Sequence, residues 1–127
     1  PYTLPGERVR IRLVEEKRGY ARGELLEVLM PSPQRIAPRC PHFTRCGGCH
    51  YQHAPYEVQL DLKTSLLREQ LQRIGGLADP PVTPAVPSPA AWEYRNHVQF
   101  HLTPEGRLGF NAPRSGETIP IEECRLL

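Results

Sequence analysis

The sequence has no apolar run approaching the roughly 18 residues that a membrane-spanning helix requires, so no membrane partner is expected. It has no basic leader followed by an apolar stretch, so a secretory signal is not expected and the cytoplasm is the expected compartment. It has little net charge, +2 in all, which does not by itself announce a polyanion binder. It has no internal repeat and no low-complexity tract. Cysteine is scarce, with four in 127 residues. In the absence of a secretory signal these four read as metal ligands or reactive thiols rather than as disulfides. The chain opens on Pro1 and ends on Cys124-Arg125-Leu126-Leu127 with no evident close of a domain, which is the pattern expected of a segment of a longer protein.

The apolar share of 39 % allows a core, but one that would be thin if divided between two small units. Cores of that size usually need a staple such as a metal or disulfides. The charge is unevenly placed. Residues 1–39 hold eight Lys/Arg against five Asp/Glu, a net of +3; the remaining 88 residues hold eight against nine, a net of −1. A basic N-terminal end is a mild pointer to a polyanionic partner, and it equally describes an ordinary solvated surface.

Local patterns predict a mostly β, α+β chain. Arg8 to Val14 alternates strictly, which would turn Val9, Ile11 and Leu13 to a core and Arg8, Arg10 and Arg12 outward. Glu15 to Gly19 reads as a turn, and a second strand is expected within Tyr20–Met30. Such strands suggest part of a small barrel, which Pro31-Ser32-Pro33 would end because proline cannot donate to a sheet ladder. One helix is predicted with Pro55 at its first position, with Tyr56, Leu60, Leu67, Leu71 and Ile74 on one stripe and Gly75-Gly76 as the stop. Glu57 and Asp61 suit its N-terminal end, Arg68 and Arg73 its C-terminal end. Ala78 to Ala91 carries five prolines and reads as an extended connector. Beyond it, Tyr94, Asn96, Val98, Phe100 and Leu102 alternate with Arg95, His97, Gln99 and His101, predicting a strand. A turn at Thr103–Gly106 would return Leu108–Phe110 as a hairpin, and Thr118–Ile121 would form a last short strand leading to Cys124.

The chemistry lies in the cysteines. Five residues separate Cys40 from Cys46, two separate Cys46 from Cys49, and 74 separate Cys49 from Cys124. Three close thiols on a glycine-containing loop can chelate one centre at small entropic cost. A fourth from far along the chain would complete four-coordination and tie the ends together. An all-thiolate set suits an iron–sulfur cluster or zinc. The wide spacing leans toward a cluster, since structural zinc more often takes two compact pairs. Cys46-Gly47-Gly48-Cys49 alone could be a redox dithiol, and four cysteines also permit three disulfide pairings. His42, His50 and His53 lie beside the loop and read as surface or surrounding groups, although any of them could replace Cys124 as a ligand.

The stretch Cys40-Pro41-His42-Phe43-Thr44-Arg45-Cys46-Gly47-Gly48-Cys49-His50-Tyr51-Gln52-His53 resembles the cluster loop of the RNA uracil-5-methyltransferases, which make 5-methyluridine in ribosomal or transfer RNA. Leu4 to Val9 with the strands that follow is similar to the later part of a TRAM domain, an OB-like RNA-binding barrel. Trp92 to Asn96 is similar to the start of that family's central sheet, and Leu108 to Cys124 to the segment bearing its fourth cluster ligand. The resemblance implies a [4Fe–4S] cluster on Cys40, Cys46, Cys49 and Cys124. It also implies a partial TRAM barrel over residues 1–36 and an incomplete central α+β domain over residues 37–127. It further implies a parent enzyme that uses S-adenosylmethionine, bound in a Rossmann-like catalytic domain outside this segment. No cysteine here matches the family's nucleophile, so no catalytic residue is expected and the segment alone should be inactive.

The partner implied is structured RNA, ribosomal favoured over transfer RNA, met by a monomer. Arg8, Arg10 and Arg12 on one strand face, with Lys17, Arg18 and Arg22 near the next turn, could track phosphates. Phe43, His50 and Tyr51 are loop candidates for stacking on splayed bases, and Arg95 and His97 would share the polar face of the central strand. Two other readings compete with this one. One is a zinc-stapled nucleic-acid module outside any enzyme. The other is an electron carrier of ferredoxin type, which the long gap to Cys124 fits poorly.

Overall fold

A computed structural model describes residues 1–127. The order of elements is β1 (Arg8–Lys17), β2 (Tyr20–Met30), α1 (Tyr56–Arg73), β3 (His101–Leu102), β4 (Leu108–Asn111) and β5 (Thr118–Pro120). The fold is α+β and mostly β, as the sequence patterns lead one to expect. No helix is long and apolar enough to cross a membrane.

β1 and β2 form a two-stranded antiparallel hairpin. Its turn is tighter than the predicted Glu15–Gly19. Lys17 already pairs with Tyr20, leaving Arg18-Gly19 as the turn, and Gly19 takes a φ of +102°, where a side chain would be strained. Three register shifts interrupt the ladder. The predicted core face is not buried: Ile11 is 48 % and Leu13 58 % exposed. A single hairpin has no second layer to receive its apolar face, so alternation there is correct in period but finds no core.

α1 begins one residue later than the expected start, with Pro55 outside as its N-cap. Gly76, at φ +67°, reverses the chain beyond the C-cap Ile74. No residue of α1 is buried, and Ile74 is 81 % exposed. The proline-rich stretch is more than a connector, because it runs back along the helix. Arg68 donates to the Val82 carbonyl (3.0 Å), Thr64 Oγ1 accepts from Ala85 N (3.0 Å), and Tyr56 Oη accepts from Ser88 N (2.7 Å).

The last three strands form an antiparallel sheet in the order β3-β4-β5. The hairpin turn at Thr103–Gly106 and the final strand fall where expected. The long strand predicted over 94–102 does not: only His101 and Leu102 join the ladder. Alternation defines two faces, but a strand also needs a hydrogen-bonding edge. Here Glu93 N and Arg95 N are taken by the carbonyls of Arg125 and Leu126 (3.0 and 2.8 Å), and residues 96–100 have no ladder partner. Phe100 is held instead by stacking on Phe110 at 4.8 Å.

Only eight residues are buried, including Leu4, Gln52, His53, Ala54 and Ile119. The first hairpin is tied to the rest by polar contacts. The buried carboxylate of Glu7 takes both ends of the Arg35 fork (2.5 and 2.8 Å) and accepts from the backbone N–H groups of Leu4 and Ser32. These four donors hold the carboxyl down at a pKa of about 2, with the Arg35 bond the largest cause.

Candidate metal centre and nucleic-acid interface

The cysteine loop is built by local backbone bonds and then docked on the far sheet. Cys46 N and Arg45 N both donate to the His42 carbonyl (2.8 and 3.1 Å), winding the loop, and Thr44 accepts a φ of +74° in it. Gly47 N donates to the Asn111 carbonyl at 2.9 Å, and a Cβ on Gly47 would stand 2.9 Å from that same oxygen. Glycine is therefore what lets this loop lie against the end of β4. Opposite, Gly109 passes so close to β5 that a Cβ would come within 2.2 Å of the Ile119 carbonyl. Both glycines set how far Cys124, which follows β5, stands from the loop.

Three of the four cysteines come to one place. Cys40, Cys46 and Cys124 line one small cavity of about 40 Å³, floored by Phe110, Ile121 and Leu126. Cys49 lines a larger neighbouring cleft. Burial pushes the Cys49 thiol up, a bond with Gln52 opposes this, and the neighbouring Cys124, Cys40 and Cys46 thiols raise it further. Burial also raises the Cys46 thiol, against a 3.4 Å bond from Gly48 N, with Cys40 and Cys124 adding to it. All four cysteines are free thiols. No three His, Cys, Asp or Glu side chains converge closely enough to hold a single metal ion.

Gln52 is a site residue that the sequence reading passed over. It is buried and accepts from Cys40 N at 3.0 Å, tying the start of the loop to the residues just beyond Cys49. Its signal was its place three residues after Cys49 in the quoted loop. Of the two readings of His53 it is the surrounding group, 1 % exposed, and both ring nitrogens lack a hydrogen-bond partner. Burial keeps its pKa below the ordinary value, so the ring is neutral at pH 7. Phe43 is half-buried, not an open stacking platform. Its ring meets Tyr2 edge-on at 5.3 Å and His53 at 5.6 Å.

The other anticipated RNA-contact residues divide into groups. Four of the six hairpin cations are committed to carboxylates. Arg10 pairs with Glu27 (2.8 Å), Arg12 with Glu24, and Lys17 and Arg22 with Glu15 (2.6 and 3.3 Å). Arg8 and Arg18 are exposed and make no ion pair. His50 is exposed and Tyr51 half-buried, both beside Cys49 in the larger cleft. Arg95 and His97 are exposed, but no strand forms there to give them a common face; Arg95 edges the thiol cavity.

The chain is thus a mostly β, α+β unit in which three of four cysteines share one cavity beside a cleft lined by aromatics and cations. No family model matches the chain. Curated relatives do. An RNA methyltransferase of Nostoc sp. is 40 % identical over 128 residues, covering 98 % of this chain and 28 % of the relative. Another, of Halalkalibacterium halodurans, is 38 % identical over 129 residues, covering 99 % of this chain and 28 % of the relative. Among solved structures, the Pyrococcus abyssi tRNA (uracil-54, C5)-methyltransferase in complex with S-adenosyl-L-homocysteine aligns with 99 % of this chain and 27 % of its own. The TM-score is 0.58 and the identity 28 %. The chain is therefore homologous, along nearly its whole length, to one segment of the RNA methyltransferases, and it spans about 28 % of the length of the curated relatives it matches.

Proposed function

We propose that this chain is the RNA-binding, [4Fe–4S]-carrying portion of an S-adenosylmethionine-dependent RNA uracil-5-methyltransferase. The observation that supports this reading is that Cys40, Cys46 and Cys124, far apart in sequence, line one cavity, with Cys49 on the neighbouring cleft, in a chain that matches RNA methyltransferases over 98 % of its length. Cys40, Cys46, Cys49 and Cys124 are the residues that would hold the cluster. When bound, it supplies an inorganic cross-link between the loop and the β5 end of the sheet, since methyl transfer to uracil moves no net electrons. The chain's own part is to position RNA: Gln52, Gly47 and Gly109 hold the two sides of the thiol set together, and the cations and aromatics around it face outward.

The reading includes a first RNA-binding unit over residues 1–36 and a cluster-binding unit over 37–127, acting in the cytoplasm as part of a monomer. S-adenosylmethionine and the catalytic cysteine belong to parts of the parent protein outside these residues, and this segment alone is inactive. The substrate is a structured RNA. We favour ribosomal RNA, whereas the solved relative is named for tRNA, so the assay needs both.

The test is anaerobic purification of the full-length protein, with iron and acid-labile sulfide measured per chain and methyl transfer measured on ribosomal and transfer RNA. A brown protein with about four irons and four sulfides per chain that methylates uridine supports the proposal. A colourless protein with stoichiometric zinc and no methyl transfer points instead to the zinc-stapled module.

A further inference from the structure

Beside the cysteine loop lies a cleft of about 700 Å³, within the range of small-ligand sites (about 300–1,000 Å³). Its walls are the loop after Cys49, the first turns of α1, and the segment leading into Trp92. The chain has nine aromatic residues, counted as one Trp, five Tyr and three Phe, and four of them line this cleft: Tyr51, Tyr56, Trp92 and Tyr94. Its charge is supplied by Arg39 and Lys63 against a single carboxylate, Glu57. Unlike most of the hairpin cations, Arg39 and Lys63 are in no ion pair. The Arg39 guanidinium sits 5.1 Å from the centre of the Trp92 ring. The walls are held independently of any ligand, by Tyr56 Oη to Ser88 N (2.7 Å), by Glu93 N and Arg95 N to the last residues, and by Gln52 to Cys40.

We propose that this cleft binds an unpaired nucleotide of the RNA, the base stacking on the Trp92 and Tyr94 rings and the phosphates meeting Arg39 and Lys63. This rests on the RNA-binding reading above and assigns the contact to a different surface from the basic hairpin. Aromatic rings stack on any base and need it out of a helix. Cations not already neutralised are the ones free to release phosphate counterions. Both conditions coincide here, whereas four of the six hairpin cations are already paired.

The test uses the full-length protein and two RNAs, a hairpin with an unpaired uridine-rich loop and the same stem as a blunt duplex, with retention measured at several salt concentrations. Trp92→Ala should weaken binding of the looped RNA about 5- to 150-fold, the effect of losing one base–aromatic stack. Duplex binding should be unchanged, and Trp92→Phe should retain most of the affinity. Lys63→Gln, on an exposed helix face and harmless to folding, should lower the salt slope by about 1 for the looped RNA. If the parent protein binds neither RNA, the RNA-binding reading fails and the cleft proposal with it. If it binds the looped RNA and both Trp92→Ala and Lys63→Gln bind equally well, only the cleft proposal is overturned. Loss of thermal stability in Trp92→Ala with unchanged affinity would overturn it too, by showing that the cleft is filled by the protein itself.

Discussion

At the scale of single residues, Glu7 carries more of this fold than its acidic side chain would suggest. Its carboxylate is fully buried, bonded to both arms of Arg35 and to two backbone N–H groups. Glu7→Gln leaves Arg35 without its counter-charge and should cost about 3 kcal/mol, the lower end for breaking a buried pair, read as a fall in the denaturation midpoint. The pH dependence follows from the direction of the shift. The folded value, about 2, lies below the ordinary 4.5, so the contribution is complete above pH 4.5 and is lost as pH falls toward 2. The acid limb of the parent's stability curve should therefore flatten in Glu7→Gln. Gly109 is the second such residue. With the Ile119 carbonyl 2.2 Å from any added Cβ, Gly109→Ala must push β4 from β5. A cost of about 1–3 kcal/mol is expected, read as a fall in the denaturation midpoint; under the cluster proposal the iron content would fall as well, since β5 leads to Cys124.

At the scale of elements, the hairpin and the helix share one feature: correct periodicity without burial. The cross-strand pairs Arg10–Glu27 and Arg12–Glu24 lie on an exposed face, with more than half of each side chain in solvent. Such pairs are worth about 0–1 kcal/mol, so Arg10→Ala and Arg12→Ala should each move the denaturation midpoint little. The same weakness would let a phosphate compete for these arginines, and RNA affinity is the measurement that separates the two roles. The period of β1, both strand ends of the late hairpin and the helix stop were legible in the sequence, because they depend on neighbouring residues and on glycine and proline geometry. The absence of a strand over 96–100 was not legible, because it turns on where the chain end lies, and Arg125 and Leu126 take up the backbone of 93–95.

At the scale of the whole molecule, eight buried residues are few for 127, and long-range order leans on specific ties. The proposed cluster would add the longest of these in sequence, from Cys40 to Cys124. Cys124→Ser should leave the first hairpin intact and loosen the sheet from the cysteine loop. Hydrogen exchange is expected to rise across 108–121 and at Gly47, while the Glu7–Arg35 region keeps its protection. Equal protection throughout would mean that the sheet is held by its own ladder and the Gly47–Asn111 bond alone.

The sequence by itself determined what depends on nearest neighbours and on local spacing: the hairpin, the helix and its stop, the late turn, and a cysteine loop with one distant partner thiol. Only the tertiary structure decided which polar groups are buried and which cations remain uncommitted. Gln52, His53 and Glu7 look like ordinary surface residues in one dimension, and burial is a property of what else arrives beside them. The arginines of β1 read as free positive charge until the partner strand brings Glu24 and Glu27 opposite them. Arg39, Lys63 and four aromatic rings, scattered between residues 39 and 94, become one cleft only when the segment before Trp92 folds back along α1.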